Sequence, residues 1–582
     1  MKGYGLTVIH GSLVERFDVE VLGIVPNTLG RSQIIVRVSG LGLEKTGILA
    51  GMSGSPVYLE GRLAGAVAAT WGFAKEPVGS VTPIESMLAI DGGDEGPRAA
   101  GTPSGPAGRG AGFDSSPTAF TDFAASLTLP DDERLAALRR IVDARPAFPS
   151  RAPSSLLAPV STGIPIDTLS RWSGDLERLG IPLASGTLSG LPGTGLQAAE
   201  RARLAAPLAP GSAVTALLID GDLQLGATGT VTRVDGDGRF LAFGHPFLGA
   251  GRIDLPAAPA EVVPVFPSQM LSFKMAYALA PAYRLTYDRD SGVAGRTDRT
   301  VPLVPVHFRL ETAGGAVRTL SWGVVRETAL LPILLSISLD AALTTLDATA
   351  VDRTLRLRVA VDTNAGPFVY ADQMTGPRAK ELALMTANVL AGLIAQNDYE
   401  EPGISGVDVS IVSDSGERRL RIVEAALSTR KAEPGEALRA TVRLADRRGA
   451  TQTRVLSITV PKETPEGRAI VLVGDGNAAS AARLAAQPSE PRSLAGLRAA
   501  IERLVPSDRL AALLLVPARG ATTGDGTLSA LPPSFAMVLS EGSEGSPRGS
   551  VPARIVAEEI LVLDRPASGS VRLELEVERP RF

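Results

Sequence analysis

The chain has 582 residues, 44% hydrophobic and 21% charged, with a formal net charge of −4. That length exceeds one hydrophobic core and implies several domains, and the near-neutral charge balance argues against a nucleic-acid binder. Cysteine is absent and histidine is limited to His10, His245 and His307, which excludes a disulfide framework, a thiol nucleophile and a Cys-ligated zinc.

The 62 glycines and 43 prolines imply many turns, and short Val- and Thr-rich runs between them predict a mainly β body. The opening "MKGYGLTVIHGS" lacks an apolar signal segment and reads like the middle of a strand-rich domain, so the expected true start lies upstream. Residues 1–91 hold short strands, including a hairpin in "YLEGRLAGAV" with Glu60-Gly61 at its tip. Residues 92–155 are a Gly/Pro-rich linker together with one short helix, near "DDERLAALRRIVDA". Residues 156–370 return to strands separated by "DGD", "GATG" and "DGDG" turns. Their run "ALLPILLSISLDAAL" is interrupted by Pro332 and Asp340, so no apolar stretch reaches the ~18 residues of a membrane span.

Residues 371–404 carry a helix, because Leu382, Met385, Val389, Leu393 and Ile394 recur at helical spacing behind Pro377. Residues 405–480 alternate like an immunoglobulin-like β-sandwich, with Leu438, Ala440, Val442 and Leu444 on one face. Residues 481–582 read as an α+β region, with Ser493 capping a helix and "SVRLELEVERP" as a terminal strand.

One stretch can carry chemistry. In "ILAGMSGSPVYLEG", glycines flank Ser53, so the backbone can turn sharply and aim the amides of Gly51 and Ser53 into one small space. Ser55 is the competing hydroxyl, and a plain Gly/Ser turn between strands is the structural alternative. A serine nucleophile needs a base. His10 and His307 sit in strand-like contexts; His245, in "FLAFGHPFLGAG", ends an apolar strand between Gly244 and Pro246. A third group usually orients the imidazole. Asp235 and Asp237 read as turn residues, Asp288 is the expected acid and Asp254 the reserve. A Ser–Lys pair using Lys45, Lys75 or Lys274 ranks third.

"GILAGMSGSPVYLEGRLAGAVAATWGF" and "GATGTVTRVDGDGRFLAFGHPF" together resemble the SpoIVB-type (sporulation stage IV B) serine peptidase family. The resemblance spans residues 1–90 and 205–300. It implies a serine endopeptidase of the trypsin-like superfamily, with Ser53 as nucleophile and His245 as base. In that family the histidine precedes the serine; here the serine comes first, so the resemblance implies a double β-barrel with its halves permuted. No substrate-binding PDZ module is apparent, and no acid carries over. Larger serine-first proteins with an appended sandwich are the closer likeness.

The expectations are therefore a mainly β fold with that permuted barrel pair, an appended sandwich and a few helices. The expected activity is peptide-bond hydrolysis outside the cytoplasm, in periplasm, envelope or medium, on a protein or peptide substrate. No cofactor, nucleic acid or membrane span is expected, and an envelope protein would dock on the sandwich. The rivals are an inactive β-rich envelope scaffold that keeps the fold, and a protein that cuts itself once in its 92–120 segment.

Overall fold

A computed structural model describes residues 1–26, 32–90, 118–144, 158–178, 200–202, 206–269, 271–347, 353–487, 491–523, 526–528 and 550–579. The expected linker lies largely outside them. The chain divides into two compact units: Met1–Gly112, Pro146–His307 and Leu320–Leu346 form the first, and Phe113–Arg145, Phe308–Thr319 and Asp347–Phe582 the second.

The first unit opens with β1 (Lys2–Val8), β2 (Val14–Val25), β3 (Gln33–Ser39), β4 (Pro56–Leu59), β5 (Arg62–Thr70) and β6 (Val78–Pro83). They close into a barrel in the order β1-β2-β3-β6-β5-β4. Alternation drives this closure: Phe17 and Val19 of β2 and Val36 and Val38 of β3 point inward, onto Leu43, Ile48, Leu49 and Met52. The β4–β5 hairpin turns on Glu60-Gly61, whose φ values of +50° and +77° suit a two-residue turn with both central residues left-handed.

The chain then lays down β7 (Ala158–Thr162), β8 (Ala213–Gly221), β9 (Gln224–Val234), β10 (Arg239–Ala242), β11 (Gly251–Phe266), β12 (Phe273–Ala278), β13 (Tyr283–Arg289) and β14 (Gly292–Arg296). A second ring closes through β8-β9-β10-β14-β13-β11, because Ala257 to Pro259 of β11 return to pair with Val214 to Ala216 of β8. Strand β7 adds to β9 and β12 to β11. The molecule is thus mainly β, with two six-stranded barrels and the serine-bearing one first. β15 (Val304–Thr312) and β16 (Val317–Val324) follow. The run with Pro332 and Asp340 is the helix Leu331–Leu346, buried nearly all round. Asp340 is tolerated there because Arg171 and the Trp172 indole N–H, at 2.9 Å, satisfy its carboxylate.

In the second unit, β17 (Arg353–Asp362) pairs with β18 (Phe368–Gly376) and β19 (Gly406–Ser415), and the helix Ala379–Ala395 packs on β17 and β18. The remaining strands are β20 (Leu420–Leu427), β21 (Lys431–Ala432), β22 (Ala437–Ala445), β23 (Thr451–Thr459), β24 (Gly467–Asp475), β25 (Arg509–Thr523), β26 (Gly526–Leu528), β27 (Ser550–Val562), β28 (Ala567–Ser568) and β29 (Ser570–Val577). They form two sheets, β23-β22-β20-β28 and β21-β29-β24-β25-β26 with β27 on β25. Both sheets feed one core that includes Leu438, Val442, Leu456, Val471, Leu510, Leu514 and Leu575. The sandwich therefore runs over 420–577 where 405–480 was expected. Its first expected strand, β19, pairs with β17 instead, and C-terminal strands complete it. Alternation marks a half-buried strand without naming the partner it pairs with.

Candidate active site

Ser53 sits on a turn that leads from the helix Leu43–Thr46 into β4. Gly51 at φ +94° and Gly54 at φ +90° are the left-handed residues that make the turn tight. Within it the Met52 amide bonds Leu49 O at 3.0 Å, the Ser55 amide bonds Met52 O at 2.9 Å, and the Gly54 amide bonds Val67 O at 2.7 Å. The two remaining amides, of Gly51 and Ser53, have no acceptor among the described residues. Buried backbone N–H groups are nearly always paired, so two unpaired ones on one three-residue stretch mark a place prepared for an acceptor.

The turn rests on β9. Thr230 donates its amide to Ser53 O at 2.7 Å and its hydroxyl to Gly51 O at 2.8 Å, and the Thr232 hydroxyl donates to Gly54 O at 2.8 Å. A side chain on Gly54 would lie 1.9 Å from Thr230 O and 2.4 Å from the Phe243 amide. Only glycine permits that approach. The threonines at every second position of "GATGTVTRV" were the sequence signal for this support, and sequence reasoning passed over them.

His245 leaves the second barrel just after β10, where Phe243 (φ +72°) and Gly244 (φ +67°) bend the chain. Gly244 O accepts from the Thr82 hydroxyl at 2.6 Å, and a side chain on Gly244 would meet Val67 O at 2.9 Å, the same carbonyl that takes the Gly54 amide. The Ser53 and His245 turns are thus in direct backbone contact, at the junction of the two barrels. His245 Nδ1 lies 2.7 Å from Pro246 O. A carbonyl only accepts, so the proton is on Nδ1 and Nε2 carries the lone pair, as a general base requires. Ser53 Oγ and His245 Nε2 are both buried without a hydrogen-bond partner, as is Ser55 Oγ. No hydrogen bond joins Ser53 to His245 in this state, and with Ser53 fully buried and His245 8% exposed the site is closed. Burial lowers the His245 pKa to about 4, against a smaller rise from the Pro246 carbonyl, so the ring is neutral at pH 7.

Asp288 does not orient His245. Its carboxylate accepts the amides of Phe247 at 2.8 Å, Leu248 at 2.6 Å, Gly249 at 2.8 Å and Ala250 at 3.5 Å. The expected acid is corrected to an organiser of the loop that follows the histidine; its oxygens are occupied by backbone donors. Burial raises its pKa and these four bonds oppose the rise. Asp254 pairs with Arg284 at 2.6 Å on a half-exposed edge. Asp235 and Asp237 sit at the β9–β10 turn as expected, bonded to Arg233 and Arg239. His10 is exposed, and His307 is exposed with Ser321 Oγ at 3.3 Å. Lys45 and Lys75 are exposed.

Lys274 is different. It is fully buried, donates to Thr7 Oγ1 at 2.7 Å, and shows no ion pair among the described residues. Its amide bonds Ala50 O at 3.0 Å, and its Cδ lies 3.1 Å from where a Gly51 side chain would begin. Ala158 of β7 comes to 3.2 Å of the same point. Burial alone lowers the Lys274 pKa to about 7.

Residues 2–88 match the model of the SpoIVB peptidase S55 family. The match takes in the whole first barrel and Ser53, and ends before His245. It makes a peptidase the coarse reading of this half. No curated protein and no solved structure shows significant similarity to the chain.

Proposed function

We propose that the protein is a serine endopeptidase in which Ser53 is the nucleophile, His245 the general base, and the Gly51 and Ser53 amides the oxyanion hole. The observation that carries this reading is the pairing of two acceptor-free amides with a buried, partnerless hydroxyl on one turn, abutting the turn of a neutral imidazole. Ser53 Oγ bonds to the scissile carbonyl carbon as its proton passes to His245 Nε2. The carbonyl oxygen becomes the oxyanion and takes the two free amides. The C–N bond then breaks, with His245 returning the proton to the leaving amine, and water releases the acyl group by the same route. Pro246 O replaces the customary carboxylate in fixing the tautomer. Such a base is less supported than one facing a carboxylate, and the reading accordingly calls for a modest turnover.

The closed site requires Ser53 and His245 to approach as substrate enters. That closure is also what favours the rival, an inactive envelope-binding scaffold. Work outside the cytoplasm, and an envelope protein docked on the sandwich, rest on the likeness of the two motifs. Digestion of an unfolded protein separates the two readings. Ser53→Ala and His245→Gln should each lose about 10³-fold or more of the rate, and Ser55→Ala should stay within about tenfold. Full activity in Ser53→Ala would remove Ser53 from the mechanism, and no activity in the unaltered protein would favour the scaffold.

A further inference from the structure

Among the described residues, Lys274 is a buried cation at the site that the proposed mechanism does not use. An ammonium without a carboxylate is expensive to bury, and an apolar side chain of equal length would fill the same space at less cost. Its placement is specific. The stem packs on Gly51, the main chain pairs with Ala50, and the ammonium is tied to Thr7 of β1, itself fully buried. The lysine therefore fastens the oxyanion turn between the first barrel and β12. The ammonium lies two bonds beyond the Cδ that packs on Gly51, so the charge sits beside the Gly51 turn. In a water-excluded site a charge at that range acts strongly on charge that develops nearby. The buried carboxylates of the second barrel are already engaged, Asp288 by four backbone amides and Asp220 by Arg201 and Gln224.

We propose that Lys274 is a positioning residue for the oxyanion hole: it holds the Gly51 turn in place and supplies the positive field that the developing oxyanion meets. It touches no reacting atom. The proposal rests on the serine-peptidase reading and extends it, since the amides would then work against a background charge that they do not themselves provide. A group kept at a cost to stability, beside a site, is the pattern expected of function rather than packing.

The test measures the rate of fluorophosphonate labelling, in which Ser53 Oγ bonds to phosphorus as its proton passes to His245 Nε2, the P–F bond breaks and fluoride leaves, and the phosphoryl oxygen takes the place of the oxyanion. The unaltered protein, Lys274→Met and Thr7→Val are compared, each with its melting temperature. Lys274→Met should melt higher yet label at least tenfold more slowly, because it removes both the buried charge and the field. Thr7→Val deletes only the acceptor and should slow labelling at least threefold; it keeps the proposal testable if the methionine variant fails to fold. A lysine that served packing alone would not move melting and labelling in opposite directions. Labelling at the unaltered rate in the folded variants overturns the role of Lys274 and leaves the serine reading standing. An unaltered protein that takes no label at Ser53 overturns both.

Discussion

At the scale of single residues, the site is defined by what is left unpaired. Ser53 Oγ, His245 Nε2 and the Gly51 and Ser53 amides lack partners, as does the neighbouring Ser55 Oγ, while the Met52, Gly54 and Ser55 amides of the same turn are all bonded. A buried hydroxyl without a partner costs about 1–3 kcal/mol, so these groups are held for something other than stability. The two perturbed bases give a pH signature. The His245 pKa is lowered, so its base form is present above about 4, and the labelling rate should rise through that pH and not through the ordinary 6.5 of histidine. Lys274 loses its charge above about 7, so the rate should decline on that side, and the decline should be missing from Lys274→Met. Asp288→Asn should lower stability by loosening the Phe247–Ala250 loop while the acid limb stays where it is, because Asp288 does not face the ring. A pH–rate profile of labelling checks the position of each limb, and a thermal melt checks the stability of Asp288→Asn; an acid limb near 6.5 would contradict the burial of His245.

At the scale of elements, β9 is the support of the whole arrangement. Its one edge takes, in order, β7 at Gln224–Thr228, the Ser53 turn at Thr230 and Thr232, and β10 at Val231–Val234. Thr230→Val would leave the buried Gly51 carbonyl without its donor. It should cost about 1–3 kcal/mol in urea unfolding and reduce labelling at Ser53; an unchanged midpoint would mean that the turn is held by something else. Much of this was legible in the sequence. Short strands were marked within residues 1–91, Glu60-Gly61 marked their hairpin, and Ser493 marked a cap, whose hydroxyl accepts from Gly496. From His245 the chain returns, at Asp288, to the same end of the barrel. It delivered the carboxylate to the loop amides and not to the ring, a distinction set by a few ångströms of backbone path that spacing does not encode. The helix Thr118–Ser126 was hidden in a stretch read as linker, where small residues mask its periodicity.

At the scale of the whole molecule, chain order and site geometry are separable. The serine barrel comes first and the histidine barrel second, yet their turns meet, because closing each barrel fixes its own mouth whatever the order of synthesis. The sandwich shows the converse: its strands were legible one by one, but its extent was not, since pairing between β20 and β28 and between β24 and β29 depends on residues far apart in sequence. Among the described residues no helix is long and apolar enough to cross a membrane. The central claim, that the two barrels assemble one serine site, is tested most directly by peptide mapping of the fluorophosphonate adduct in the unaltered protein and in His245→Gln. The account predicts a single adduct on Ser53, at least 10³-fold slower to form without the imidazole. An adduct on Ser55, or one on Ser53 that forms equally fast in His245→Gln, would contradict it.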